Sequence, residues 1–143
     1  MRLIVIIGVL LSGIILIASC QSDEELEFSR YYTSGSVIYQ TRCMYCHGAK
    51  GEGLQLLIPP LTDSTYLKTY KQKLACIVKY GTKEKIKIAG KTFEGKMYPI
   101  ALPSVQIAEV LTYVNNSFGN KLGVVTTEQV VNSLARCDNQ QPY

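Results

Sequence analysis

Cys43-Met44-Tyr45-Cys46-His47 is the stretch on which the reading of this chain turns. Two residues separate its cysteines, and a histidine follows the second directly. Thiols at this spacing can each form a thioether to one of the two vinyl groups of a single porphyrin. The histidine is then carried beneath the iron, where its imidazole can serve as the proximal axial ligand. The order Cys-x-x-Cys-His therefore predicts one covalent haem c, attached at Cys43 and Cys46 and ligated by His47. Two other chemistries use a Cys-x-x-Cys pair. A thioredoxin-like dithiol wants a strand feeding the motif, and no strand pattern precedes Cys43. A zinc site combining Cys43 and Cys46 with Cys76 and Cys137 needs four thiolates and leaves His47 incidental.

A haem iron held by one histidine has a sixth position to fill or to leave open. Scarcity narrows the choice. His47 is the only histidine, which excludes a second histidine ligand from the same chain. There are three methionines. Met1 belongs to the leader, and Met44 lies between the two attachment cysteines, on the wrong side to reach across the ring. Met97 remains, in a loop ahead of the strongest helical pattern. A thioether there favours reduced iron and raises the potential, which suits an electron carrier. Met97 can also be read as a gap-filling core residue. An open sixth site would instead point to a ligand-binding or catalytic haem.

The first 19 residues read as an export leader: Arg2 gives a basic start, and Leu3 to Ile17 is almost wholly apolar. That run is short of the roughly 20 residues a membrane span takes. Ile17-Ala18-Ser19-Cys20 resembles a bacterial lipobox, whose cysteine becomes a lipid-bearing N-terminus. An uncleaved anchor helix is the other reading. Either places the remaining chain outside the cytoplasm, on the periplasmic or cell-surface side, tethered to a membrane. Of five cysteines, Cys20 then goes to lipid and Cys43 and Cys46 to haem. Cys76 and Cys137 are left, and in an oxidising compartment they most simply pair. The alternative is a buried Cys76 and an exposed Cys137. A formal net charge of +4 over 143 residues is no footprint for nucleic acid. The lysines between Lys68 and Lys96 are dense, either as a solvated face or as a docking patch for an acidic protein.

Residues 20–33 are polar and acidic at their start and read as a flexible tether, with the folded domain over 34–143. A helix is predicted from about Ser34–Ser36 into the motif, with Val37, Ile38, Thr41 and Met44 as a loose stripe. Gly48 to Pro60 reads as loop. A short helix is predicted near Thr65–Tyr70, and a second over Lys71–Tyr80 with Gly81 just past its end. Ile86, Ile88 and Phe93 suit a short hairpin. The clearest helix is predicted over Ser104–Phe118, with Ser104 as N-cap, and a last one over Thr127–Arg136 behind Thr126 or Thr127.

From about Gly35 to Asn120 the sequence resembles the small class I monohaem cytochromes c of bacteria. Gly35 precedes Cys43 where that family places a glycine in its first helix, and Tyr113 matches the aromatic packed across it. Gly51-Glu52-Gly53 resembles its short glycine loop, and Ile107 to Asn120 its C-terminal helix and exit. Pro59-Pro60-Leu61 resembles the loop in which the first proline carbonyl accepts a hydrogen bond from the proximal histidine. Met97-Tyr98-Pro99 departs from the family, where proline commonly follows the ligand methionine directly. The resemblance implies an all-α class I cytochrome c fold, about four to five helices wrapped around one covalent haem. It implies an electron-transfer protein rather than an enzyme, with redox partner proteins, acting as a free carrier or as an electron-entry subunit of a larger complex. Leu61, Phe93, Ile100, Leu102 and Leu111 are candidates for the apolar wrapping of the haem.

Overall fold

The computed structural model describes residues 23–137 together with Arg2. The leader expected over 1–19, apart from Arg2, and Cys20 lie outside the described residues. Helix α1 spans Asp23–Arg42 and runs to the edge of the motif. Its start lies well before the predicted Ser34–Ser36, so most of the segment read as a tether is helical. The physical reason lies in that segment itself. Asp23, Glu24 and Glu25 occupy the first turn, where negative charge complements the helix dipole. One face carries Phe28, Tyr31 and Tyr32, which give the polar-looking segment something to bury. The Tyr32 ring lies 5.1 Å from that of Tyr113 and 5.6 Å from that of Phe28. The Tyr31 hydroxyl pairs with that of Thr127 at 2.9 Å.

The buried face of α1 also differs from the predicted stripe. Gly35 and Tyr39 are its buried residues, whereas Val37, Thr41 and Met44 are exposed. The operative spacing is Tyr32, Gly35, Tyr39 and Cys43, which repeats every three or four residues along one side.

A one-turn helix α2, Met44–His47, follows directly. Helix α3, Ser64–Thr69, is capped by Asp63, whose carboxylate accepts from the Tyr66 amide at 2.8 Å. Helix α4, Lys71–Tyr80, stops at Gly81, whose φ of 73° few side chains tolerate. Strands β1 (Ile86–Ile88) and β2 (Lys91–Phe93) form an antiparallel hairpin, with Ile86 opposite Phe93. Ala89 and Gly90 turn it with φ of 46° and 78°, the twist that two-residue hairpin turns need.

Helix α5 spans Ser104–Asn115, shorter than the predicted run to Phe118. Asn116 ends it. Its side-chain amide donates to the Thr112 carbonyl at 2.8 Å, replacing the backbone bond that would continue the helix. At the other end Pro103, not Ser104, is the N-cap, and no side chain caps that end. Helix α6, Thr127–Leu134, carries a capping box: Thr126 accepts from the Gln129 amide and Gln129 from the Thr126 amide.

Helices α1 and α5 form the main packed pair, and α6 lies over α4 and α5. A Cβ at Gly35 would run into the Glu109 carbonyl oxygen and the Tyr113 Cβ, so this glycine sets how closely the two backbones approach. Tyr39, Ile107, Val110, Thr112 and Val130 are the largest side chains fully removed from solvent. The described residues hold six helices and one two-stranded hairpin, against four to five helices expected. The one-turn α2 accounts for the difference. Cys76 on α4 is joined to Cys137 beyond α6, as counting predicted. No helix among the described residues is long and apolar enough to cross a membrane.

Candidate haem site

Three groups of the motif share one helical turn. The Cys46 and His47 amides donate to the Cys43 carbonyl at 3.1 and 2.9 Å, while the Cys43 amide donates back to Tyr39 at 2.9 Å. Positions i, i+3 and i+4 of a helix face the same way, so Cys43, Cys46 and His47 are presented on one side. Both thiols are unpaired; Cys43 is half-buried and Cys46 exposed.

The imidazole is oriented from twelve residues away. Nδ1 of His47 lies 3.3 Å from the Pro59 carbonyl oxygen. A carbonyl only accepts, so the bond requires the proton on Nδ1 and leaves the Nε2 lone pair free for a metal. Burial lowers the imidazole pKa and so favours the neutral ring that ligates, while the Pro59 contact works in the opposite direction. Pro59 is placed by the glycine loop. The Gly53 amide donates to the His47 carbonyl at 2.9 Å, and the Leu61 amide to Gly51 at 2.8 Å. A Cβ at Gly53, whose φ is 69°, would collide with the Ile58 carbonyl oxygen.

Tyr39 went unnamed among the site residues expected from sequence. It is 1% exposed, and its hydroxyl donates to the Gly48 carbonyl at 2.7 Å. It therefore braces the motif from below at both ends, through its carbonyl to Cys43 and its hydroxyl to Gly48. Its signal in the sequence was the aromatic four residues before Cys43. Tyr39→Phe is expected to cost the folded holoprotein about 1 kcal/mol, the net worth of one hydrogen bond, because the Gly48 carbonyl keeps the Gly51 amide at 3.3 Å as a second donor. Urea unfolding of the two proteins side by side measures this. Asn120 was read only as part of the helix exit. It ties α5 to the loop after Pro60, with Nδ2 donating to Leu61 at 2.8 Å and to Val114 at 3.0 Å. Its Oδ1 accepts from the Ser64 hydroxyl at 2.6 Å.

Met97 is half-buried on a strap bound to the end of α4. It exchanges both backbone hydrogen bonds with Thr82 at 2.9 Å, and the Ile100 amide donates to Val78 at 3.1 Å. Of the residues expected to wrap a haem, Phe93, Leu102 and Leu111 are buried, and Leu61 and Ile100 are half-buried against the core. The loop between Gly53 and Pro59 carries Leu54, Leu56 and Leu57, each about half-exposed. Apolar surface beside two thiols and an oriented imidazole fits a porphyrin.

The geometry bears on the alternatives. Burial, with Cys46 adding to it, pushes the Cys43 thiol up to about 11, the opposite of an activated redox thiolate. The bond between Cys76 and Cys137 takes both from a four-thiolate zinc site.

The family model described as Cytochrome c matches residues 32–117. The chain belongs to the cytochrome c family. Its fold is that of the class I cytochromes, and its function is haem-based electron transfer with redox partner proteins. Family membership also implies covalently bound haem c, for which Cys43, Cys46 and His47 are the fitting residues in this cytochrome. A comparison with curated proteins finds no match. The extension after residue 117, including α6 and Cys137, lies beyond the matched region of this cytochrome c.

Proposed function

We propose that this cytochrome c is a membrane-tethered, single-haem electron carrier whose iron is held by His47 and Met97, serving a respiratory or related redox chain. A haem c bound there supplies a one-electron couple at iron. The observation that carries the reading is the His47 contact to Pro59, which leaves a single ring nitrogen for the iron. Cys43 and Cys46 hold the porphyrin by thioethers. Met97 is the remaining methionine able to serve as the second ligand, and its backbone pairing with Thr82 keeps it on a firm strap. Filling both axial positions leaves no room for substrate and changes the coordination little between oxidation states, which favours outer-sphere transfer. The chain is exported and lipidated at Cys20, with the domain on the periplasmic or cell-surface side of a bacterial membrane. In the sequence, Cys20 stands three residues before Asp23, the first described residue of α1. The lipid confines the search for a membrane partner to a thin layer and raises its effective concentration.

Met97→Ala tests the ligation. The weak sulfur-to-iron band at the red end of the ferric spectrum is expected to vanish. The ferrous protein should bind carbon monoxide, and the midpoint potential should fall on the order of 0.2 V, within the roughly 0.8 V range that axial ligands command. Persistence of the band would assign the sixth position to another group. Palmitate labelling of the wild type against Cys20→Ser checks the anchor.

A further inference from the structure

Asn120 stands just past residue 117, where the match to the family model ends. It is 2% exposed. Gly119, with a φ of 91°, turns the chain into it, and the Asn120 amide donates to the Ser117 carbonyl at 2.9 Å. The side chain is engaged at both ends. Nδ2 donates to the Leu61 and Val114 carbonyls, and Oδ1 accepts from the Ser64 hydroxyl. Two carbonyls on one end and a hydroxyl on the other leave the amide a single orientation.

Leu61 is thereby held on both sides of its backbone, its carbonyl by Asn120 and its amide by the Gly51 carbonyl at 2.8 Å. Two residues earlier stands Pro59, whose carbonyl oxygen lies 3.3 Å from His47 Nδ1. Pro60 joins them, and its ring fixes its own φ, so the Pro59 carbonyl follows Leu61 when Leu61 moves. The contact to His47 is at the long end for a hydrogen bond, and about 0.3 Å more takes it out of range. An imidazole that donates from one nitrogen is a stronger ligand through the other. Ferric iron gains more from such a ligand than ferrous iron does, so a firm Pro59 contact lowers the potential.

We propose that Asn120 is a positioning residue for the haem centre. Acting through Leu61 and Pro60, it keeps the Pro59 carbonyl on His47 and so sets the donor strength of the proximal ligand. The proposal rests on His47 as that ligand and is independent of Met97.

The test follows the ferric holoprotein by proton NMR and the potential by redox titration. The unpaired electron shifts the Nδ1–H of an iron-bound imidazole far outside the ordinary proton range, so its exchange with deuterium can be watched directly. Asn120→Leu is close in volume and removes both donors. Exchange of the shifted proton is expected to quicken about tenfold, the scale of one hydrogen bond. The couple should move about threefold toward ferrous, roughly 30 mV upward for one electron. Ser64→Ala frees only Oδ1 and leaves Asp63 as the cap of α3, so it gives an answer even where Asn120→Leu does not fold. It should move both readouts the same way by a smaller factor. Val130→Ala, on α6 and outside this chain of bonds, loosens the core and should move neither. A Ser64→Ala protein with both readouts at wild-type values overturns the proposal. So does a potential that falls in either variant, or a change in Val130→Ala as large as in Asn120→Leu, which makes Asn120 a structural tie alone. A wild-type spectrum with no shifted Nδ1–H is a separate failure: it removes His47 as the ligand, and the proposal with it.

Discussion

Gly35→Val is expected to destabilise the holoprotein by roughly 3 kcal/mol and to loosen the haem motif along with the fold. The site is unforgiving for a stated reason. The atoms a side chain would meet there are the Glu109 carbonyl oxygen and the Tyr113 Cβ. Neither is the end of a flexible chain, so relief requires α1 and α5 to move apart. Those helices form the main packed pair of the fold. Separation would also pull Tyr39 away from Tyr113 and Phe118, whose rings lie 5.3 and 5.2 Å from its own. Tyr39 braces Cys43 and Gly48, so the damage passes to the haem turn. The denaturant midpoint and the ferric sulfur-to-iron band should fall together as Gly35 is changed to Ala and then Val. A Val variant as stable as wild type would show that the crossing is set elsewhere.

Cys137→Ser is expected to remove about 4 kcal/mol of stability. The bond to Cys76 closes a loop with a sequence separation of 61, and the chain-entropy account assigns about 4 kcal/mol to a loop of that size. The extension should suffer first. Helix α6 is short and rests on Val130, its one buried residue, together with its capping box. Hydrogen exchange is therefore expected to quicken over α6 more than over α1 and α5. Uniform acceleration would mean that the disulfide holds the whole domain rather than pinning its last helix.

Much of the local structure was legible before any packing was known. Helix α4 follows from Leu74, Ile77 and Val78 on one side and from Gly81 beyond the end. The hairpin followed from Ile86, Ile88 and Phe93. The errors lie where a residue served a distant partner. The segment before Ser34 looks solvent-loving because its acids come first, although it carries Phe28, Tyr31 and Tyr32. Tyr32 earns its helical setting only when Tyr113 and Ser117 lie beside it, the latter with its hydroxyl at 3.1 Å. Likewise α5 stops at Asn115 rather than Phe118 because the Asn116 side chain reaches both Thr112 and Gly123. The Gly123 carbonyl arrives only once the chain has turned back.

By itself the sequence determined the chemistry of the centre. Cys43, Cys46 and His47 share one face because a single helical turn places i, i+3 and i+4 together, and no tertiary contact is needed for that. Counting alone left Cys76 and Cys137 to each other. The tertiary structure decided how that chemistry is held. It brought the Pro59 carbonyl to His47, set the helix crossing at Gly35, and tied Asn120 to Leu61 and Ser64. Each of these depends on the relative placement of segments remote in sequence. Residue type and spacing encode the shape of one turn, whereas the distance between two turns is set by everything packed between them.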